Sequence, residues 1–441
     1  MSRISLFKKR SSIIAIAAAM ALLATGCTAS GTSSGTTTLK MVFEPGPEAD
    51  AMGVLVKDFN SGVGKKDKIN VQITQLSRTD TFAKEATIMA TKSSAYDIYR
   101  TTSYLIAQHA PYLDPIKLKE SDFFPTAVNS LKVNGSLYGL PLDVSNHFLY
   151  YRKDLIAQMM ADPTGYAAAS KKVVGQALTP KDPADWNWND YIASAAYFTK
   201  SINPSSPTQY GTVLPAKNLS YNAMIWDNVL WSFGGSWTDK SGKPAMTSAA
   251  AEKAVKIYST IYTSGITSPD STQAEFPETQ ASLTAGNAAF AVQWSAGYAG
   301  LNDPKASPNT AGKLGIAPVP GDKHVTHVHA LSIGINKYGK HKAEANTFIQ
   351  WLGKPSTMTE YVKAGGIAAM PAVLSANTNT NPLFADISSS ITKYGFAEPN
   401  VPRAFDIYTA IAADLSGAWV GEGSAKDALA KLNTDMAGLL K

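Results

Sequence analysis

The chain has 441 residues, of which 44% are hydrophobic and 10% aromatic, more than one compact domain normally holds, so two domains are expected. Its formal charge is +6, but the first 26 residues carry four basic side chains and no acid; four removed from +6 leave +2 for the remainder. That balance gives no support to nucleic-acid binding, and a single cysteine rules out disulfides and thiolate metal sites within the chain.

Arg3, Lys8, Lys9 and Arg10 precede an apolar run over 13–24 that is too short to span a bilayer comfortably. Residues 1–26 therefore read as a secretion signal. The signal ends in Ala24-Thr25-Gly26-Cys27, which resembles a bacterial lipobox. In such signals the cysteine is lipidated, with palmitate among the acyl chains, and becomes the first mature residue. Ala24 departs from the pattern, with Leu23 one place early; ordinary cleavage beside an incidental cysteine is the alternative. A lipid on Cys27 would hold the protein at a membrane without a transmembrane helix. Residues 27–38 form a Gly/Ser/Thr tether. Gly31 to Gly35 match the hydrolase pattern G-x-S-x-G, but neither a strand nor a helix flanks them.

Residues 39–43 read as a strand that opens into Glu44-Pro45-Gly46-Pro47-Glu48. Met52, Leu55, Val56 and Phe59 recur at helical spacing, and Ile69, Val71 and Ile73 alternate as in a strand. A helix over 82–91 and a short strand over 96–99 follow. This order predicts a parallel sheet with crossover helices. Ligands of such sheets sit beyond the carboxyl ends of the strands, here 44–48, 77–78 and 100–102. Asn134-Gly135 is a hairpin signal. Extended runs over 137–142 and 147–151, separated by Asp143 to Asn146, predict a chain that leaves one lobe and enters another. Further on, Asn187 and Asp190 can cap a helix, and an aromatic-rich helix over 221–233 stops at Gly234-Gly235. A helix over 248–262 and strands over 288–292, 314–319 and 330–335 follow. The remainder is mainly helical, ending with a helix from near Ser424 that presents Leu432, Met436 and Leu439. No internal repeat is present.

Eight short pieces in this order behind the lipobox-like signal carry a family resemblance. They are Tyr96-Asp97-Ile98, the run from Gly135 to Pro141, Tyr150 to Leu155, Asn187-Trp188-Asn189-Asp190, Gly234-Gly235, Ala285 to Phe290, Ile316 to Pro320, and Arg403 with Tyr408. The chain resembles family 1 extracellular solute-binding proteins of ABC importers, the group of maltose- and maltodextrin-binding proteins. That resemblance implies a periplasmic-binding-protein-like α/β fold of type II, two lobes joined by a hinge with the ligand cleft between them. The lobes would be 39–143 with 321–355 and 146–316 with 358–441, with crossings near 143–146, 316–321 and 355–358. It implies a carbohydrate ligand, expected to be an oligosaccharide, and the importer's permease subunits as partners. It further implies a monomer with no cofactor and no catalytic residue, anchored on the extracellular face of a cell, with a tether that suits a Gram-positive one. Two other readings stay open: a non-sugar solute such as a polyamine, or a modified sugar, in the same fold, and a secreted glycoside hydrolase using paired carboxylates such as Glu44 and Asp143.

A sugar site needs carboxylates, guanidinium or amide groups for hydroxyl edges and flat aromatics for C–H faces. Trp294 directly follows a strand, beside Tyr298, near where the family places a stacking aromatic; Tyr408 matches another such position. Tyr221, Trp226 and Trp231 share one helix, and one of the two tryptophans is expected to face the cleft. Trp188 reads as core, Trp186 as a loop aromatic and Trp351 as packing. Glu44 and Glu48 follow the first strand, and Asp143, Ser145 and Asn146 lie at the crossing. Arg78 and Arg100 stand at strand ends as paired donors. Arg403 matches a family position near the cleft, or forms a structural ion pair; Asp97 reads as structural. His324, His327 and His329 are the metal-like cluster, placed before a strand on the cleft rim and read as holding no metal.

Overall fold

The computed structural model describes residues 35–441, so the leader, Cys27 and most of the tether lie outside the described residues. In chain order the strands used below are β1 (Thr37–Phe43), β2 (Ile69–Gln75), β3 (Ile98–Thr102), β4 (Leu140–Arg152), β5 (Tyr210–Thr212), β6 (Ala288–Trp294), β7 (Leu314–Ala317) and β8 (Thr326–Asn336). The helices are α1 (Pro47–Ser61), α2 (Arg78–Ala90), α3 (Trp188–Tyr197), α4 (Ser220–Ser232), α5 (Phe276–Ala285) and α6 (Ala404–Trp419).

One sheet runs through the molecule in the order β2-β1-β3-β8-β4-β6-β5, with β7 on β4. β1 lies parallel to β2 over seven residue pairs and parallel to β3 at Met41 and Ile98, as the strand–helix–strand order requires. α1 starts with Pro47 in its first turn, where the missing N–H costs nothing, and Glu48 and Asp50 meet the positive end of the helix. It buries Met52, Leu55, Val56 and Phe59, the residues whose spacing marked it as helical. Asn134 (φ 50°) and Gly135 (φ 79°) both take the left-handed conformation and turn the predicted hairpin between 132–133 and 136–137. α3 opens on the expected capping box of Asn187 and Asp190.

The crossing differs from expectation. β4 is one unbroken strand of 13 residues, so Asp143 to Asn146 are paired strand rather than an irregular link. Its first half pairs with β8 and its second with β6 and β7. The β4–β8 register slips between Leu331–Asp143 and Ser332–Pro141, leaving one extra residue in β4 beside a proline that has no N–H to give the ladder. Residues 367–369 lie along the other edge: Val144 N–H donates to the Ile367 carbonyl at 3.0 Å.

Two clusters of buried apolar side chains flank this crossing. The first includes Leu39, Met41, Phe59, Ile98 and Phe348, and also Met358, Leu374 and Ile387. The second includes Trp188, Tyr191, Trp226, Phe290, Ile411 and Leu432. Trp186 is a correction: it is fully buried in the second cluster, edge-on to Phe290, with its indole N–H on the Lys181 carbonyl at 3.0 Å. Its loop-like neighbours hid a core anchor. His327 and His329 are likewise within β8 rather than before a strand. Asp97 accepts the Lys40 backbone N–H at 3.0 Å, a structural role. No helix among the described residues is long and apolar enough to cross a membrane.

Candidate functional site

A cavity of about 340 Å³ lies beside the crossing strands. One wall is polar. β1 ends at Phe43, so Glu44 emerges at its carboxyl end, and Arg100 comes from neighbouring β3; the Arg100 Nη2 meets Glu44 Oε1 at 2.7 Å. Arg100 is only 2% exposed, lies over the Phe82 ring at 5.2 Å, and leaves Nε and Nη1 without a hydrogen-bond partner among the described residues. Its backbone N–H donates to Glu85 at 2.8 Å. Burial pushes the Glu85 carboxyl up to about 8, against the pull of Arg100. Glu48, in the first turn of α1, also lines the cavity.

Asp143 forms part of the floor. Its Oδ2 accepts from Tyr361 Oη at 2.9 Å and from Ile367 N–H at 2.7 Å. Burial holds this carboxyl well above the usual carboxylate range, the charge of Glu48 adds to that, and the two hydrogen bonds oppose it. Strand alternation decides which neighbours join it. Ser145 faces the cavity with Asp143, while Asn146 points away, within 3.4 Å of Thr326 Oγ1 and Ser390 Oγ. On β8 the same alternation presents His329 and Leu331.

The opposite wall is aromatic. Trp294 ends β6 and pairs in register with His147, whose ring centre is 4.0 Å from the indole. Tyr221 projects from the first turn of α4, and Phe276 with Glu275 and Pro277 from the start of α5. Asn222 fixes the approach to α5 by donating to the Ala274 carbonyl at 2.9 Å. Tyr104 stacks on His329 at 5.4 Å with 17° between the planes.

Of the residues expected at the site, the cavity thus brings together Glu44, Glu48, Arg100, Asp143, Tyr221 and Trp294. The side chain of Arg78 lies outside the described residues. The remainder stand elsewhere. Trp226 is fully buried against Trp419, and Trp231 stacks on Phe396 at 4.8 Å. Tyr298 is half-buried against the first core cluster. Arg403 is exposed and pairs with Asp406 at 2.7 Å. Tyr408 is fully buried, with its hydroxyl 3.0 Å from His327 Nε2. The reading of the sequence passed over Tyr104, Asn222, Glu275, Phe276, Pro277, Ala296 and Leu331, and took His329 for part of a rim cluster rather than a cavity residue. For His329 the signal was present: extending the β8 alternation two residues toward the N-terminus puts it on the face of Leu331.

Behind the aromatic wall runs a buried polar chain. Asn228 Nδ2 meets His147 Nδ1 at 3.0 Å, and Asn228 Oδ1 accepts the His327 backbone N–H at 2.9 Å. His327 Nε2 meets Glu398 Oε2 at 2.8 Å. Burial drives His147 well below the ordinary imidazole range, so it supports Trp294 as a neutral ring. Burial, the largest single influence, would raise Glu398, but its interactions with His327 together with its backbone and Ser103 hydrogen bonds lower it. His324 instead bonds the Val319 carbonyl at 2.8 Å, and no group of three His, Cys, Asp or Glu among the described residues is placed to hold a metal ion.

Comparison with known proteins fits this architecture. The chain is 21% identical over 398 residues to a protein of Sinorhizobium fredii named as a probable amino-acid ABC transporter periplasmic-binding protein, covering 86% of this chain and 84% of that one. It is 24% identical over 311 residues to the mannitol-binding protein of Pseudomonas aeruginosa, covering 68% of this chain and 65% of that one. The structure superposes on maltose-bound T. maritima MalE3 with a TM-score of 0.74 at 21% identity, over 92% of this chain and all of the other, which establishes the two-lobed α/β fold of type II binding proteins. The model of the bacterial extracellular solute-binding protein family matches residues 54–386, some three quarters of the chain, and the chain belongs to that family.

Proposed function

We propose that this protein is the carbohydrate receptor of an ABC importer, held at the outer face of the cell membrane by a lipid on Cys27. It captures a short oligosaccharide and delivers it to the permease subunits. The observation that carries this reading is a single cavity at the crossing strands with the rings of Tyr221, Phe276 and Trp294 on one side and Glu44, Arg100 and Asp143 on the other. Flat rings suit sugar C–H faces, and charged hydrogen-bonding groups suit hydroxyl edges. A volume of about 340 Å³ is near the lower end of small-molecule sites and favours a short saccharide over a long one. The named ligands of two relatives, mannitol and maltose, point the same way.

Capture would proceed by closure about β4 and β8, whose residues Val144 to Asn146 and Val328 to Ala330 pair with one another between the two cores. The third crossing, expected near 355–358, would complete the hinge. The protein binds its solute and does not transform it; a chromogenic glycoside assay that stays silent agrees with this, and turnover lost in both Glu44→Gln and Asp143→Asn would overturn it.

The test is a thermal-shift screen of the mature chain against a glycan panel, since a solute that binds only the folded state raises the melting temperature. A shift with a saccharide supports the reading. A shift with amino acids, peptides or polyamines and with no saccharide rejects it. Release of the protein into the medium by Cys27→Ala would establish the anchor.

A further inference from the structure

Resting on the carbohydrate reading, we propose that the solute carries a protonated amine: the cleft takes an amino sugar, or a short oligosaccharide containing one, in preference to its neutral counterpart. The charges around the cavity do not balance. Among the described side chains, the carboxyl groups of Glu44, Glu48, Asp143 and Glu275 line it, against the single guanidinium of Arg100. The Arg100 charge is already engaged by Glu44 at 2.7 Å.

The other three acids come from separate elements that converge on one space. Glu48 sits in the first turn of the 15-residue α1, and Glu275 is the N-cap residue of the 10-residue α5. Both carboxyl groups thus lie at the positive ends of their helices. Asp143 faces them from β4, and the Glu48 charge is near enough to oppose its ionisation. A neutral hydroxyl can accept or donate to such a group but leaves this repulsion in place. An ammonium removes it, donating to Glu48 or Glu275 and drawing down the charge around Asp143. The rings of Tyr221 and Trp294 serve both parts of such a solute, because their faces attract a cation as readily as they receive a sugar's C–H surface.

The experiment is calorimetric titration of the mature chain with D-glucosamine, D-glucose and N-acetyl-D-glucosamine at about pH 6, where the free amine is protonated. A glucosamine β-1,4 dimer against cellobiose repeats the comparison for two rings. The expected result is binding of the amine at least about tenfold tighter than that of either neutral partner, shrinking with added salt. Glu48→Gln with Glu275→Gln should abolish most of that ratio; the amides preserve shape, and melting curves check the fold. Neutral sugars binding as tightly as the amines, or a ratio unmoved in the double variant, overturns the inference and leaves the carbohydrate reading standing. Binding of putrescine with no saccharide binding at all rejects the carbohydrate reading instead. Silence of every saccharide and amine rejects both.

Discussion

On one side of the cavity, Glu44, Arg100 and Asp143 are held by bonds to named partners: Glu44 to Arg100, Arg100 to Glu85, and Asp143 to Tyr361 and Ile367. On the other, Tyr221, Phe276 and Trp294 are held by the position of the helix or strand end that carries them and by ring contacts such as that of Trp294 with His147. The polar wall is fixed before any solute arrives. Its residues are nearly inaccessible. The aromatic wall is half-buried. The two walls are therefore held differently: by buried hydrogen bonds on one side, by element ends and ring contacts on the other.

The sharpest way to break the comparison is Arg100→Met. It removes the guanidinium that meets buried Glu44 at 2.7 Å and should cost about 3–5 kcal/mol of stability in urea unfolding. A loss below about 1 kcal/mol would mean that the pair does not hold the wall. A smaller effect comes from His109, whose Nδ1 lies 3.0 Å from Thr101 Oγ1 in the same region. Burial, aided by the Arg100 charge, pulls this imidazole down to about 3. An unfolded histidine takes up its proton near pH 6.5 and the folded one does not until about 3, so stability is intact above the first value and falls as pH drops between them. His109→Gln should flatten that part of the pH profile by a few kcal/mol, and equal slopes in the two proteins would refute the assignment.

Trp294→Ala tests the other wall. It should weaken the best solute about 10–100-fold while lowering unfolding free energy by less than about 2 kcal/mol. Trp226→Ala on α4 should do the reverse, costing about 3–5 kcal/mol of stability with the affinity of the remaining folded protein unchanged. Titration and denaturation of both variants decide it; similar profiles would erase the distinction between the walls. Least affected is Arg403→Ala. Its exposed pair with Asp406 should be worth under about 1 kcal/mol, and solute affinity should not move.

The polar wall was largely legible in the sequence because strand order alone dictates where a parallel sheet presents its ligand-facing ends. Glu44 and Arg100 follow from that rule without any knowledge of packing. The aromatic wall was legible only in part. Trp294 ends a strand and was found; Tyr221, Trp226 and Trp231 share α4, and this helix is buried on nearly every side, so no apolar stripe separates the residue that faces the cavity from those that face the core. Asn146 was one residue off, since Asp143 to Asn146 were expected to separate two strands and alternation was not carried through to Ser145. Tyr408 took its expected role from family position, yet its hydroxyl is committed to His327 and Glu398. Glu275 and Phe276 look in sequence like an ordinary helix start, and only tertiary placement turns them toward the cavity.

Trp294 has one further consequence. The chain holds eight tryptophans: five are buried, Trp231 is stacked on Phe396, Trp351 packs beside Phe59 and Phe348, and Trp294 alone lines the cavity. Its indole is also the one set against the His147 ring. A solute entering this cavity would change the surroundings of that one indole and leave the other seven as a background. Its emission would then report the filling of the cavity without any attached label.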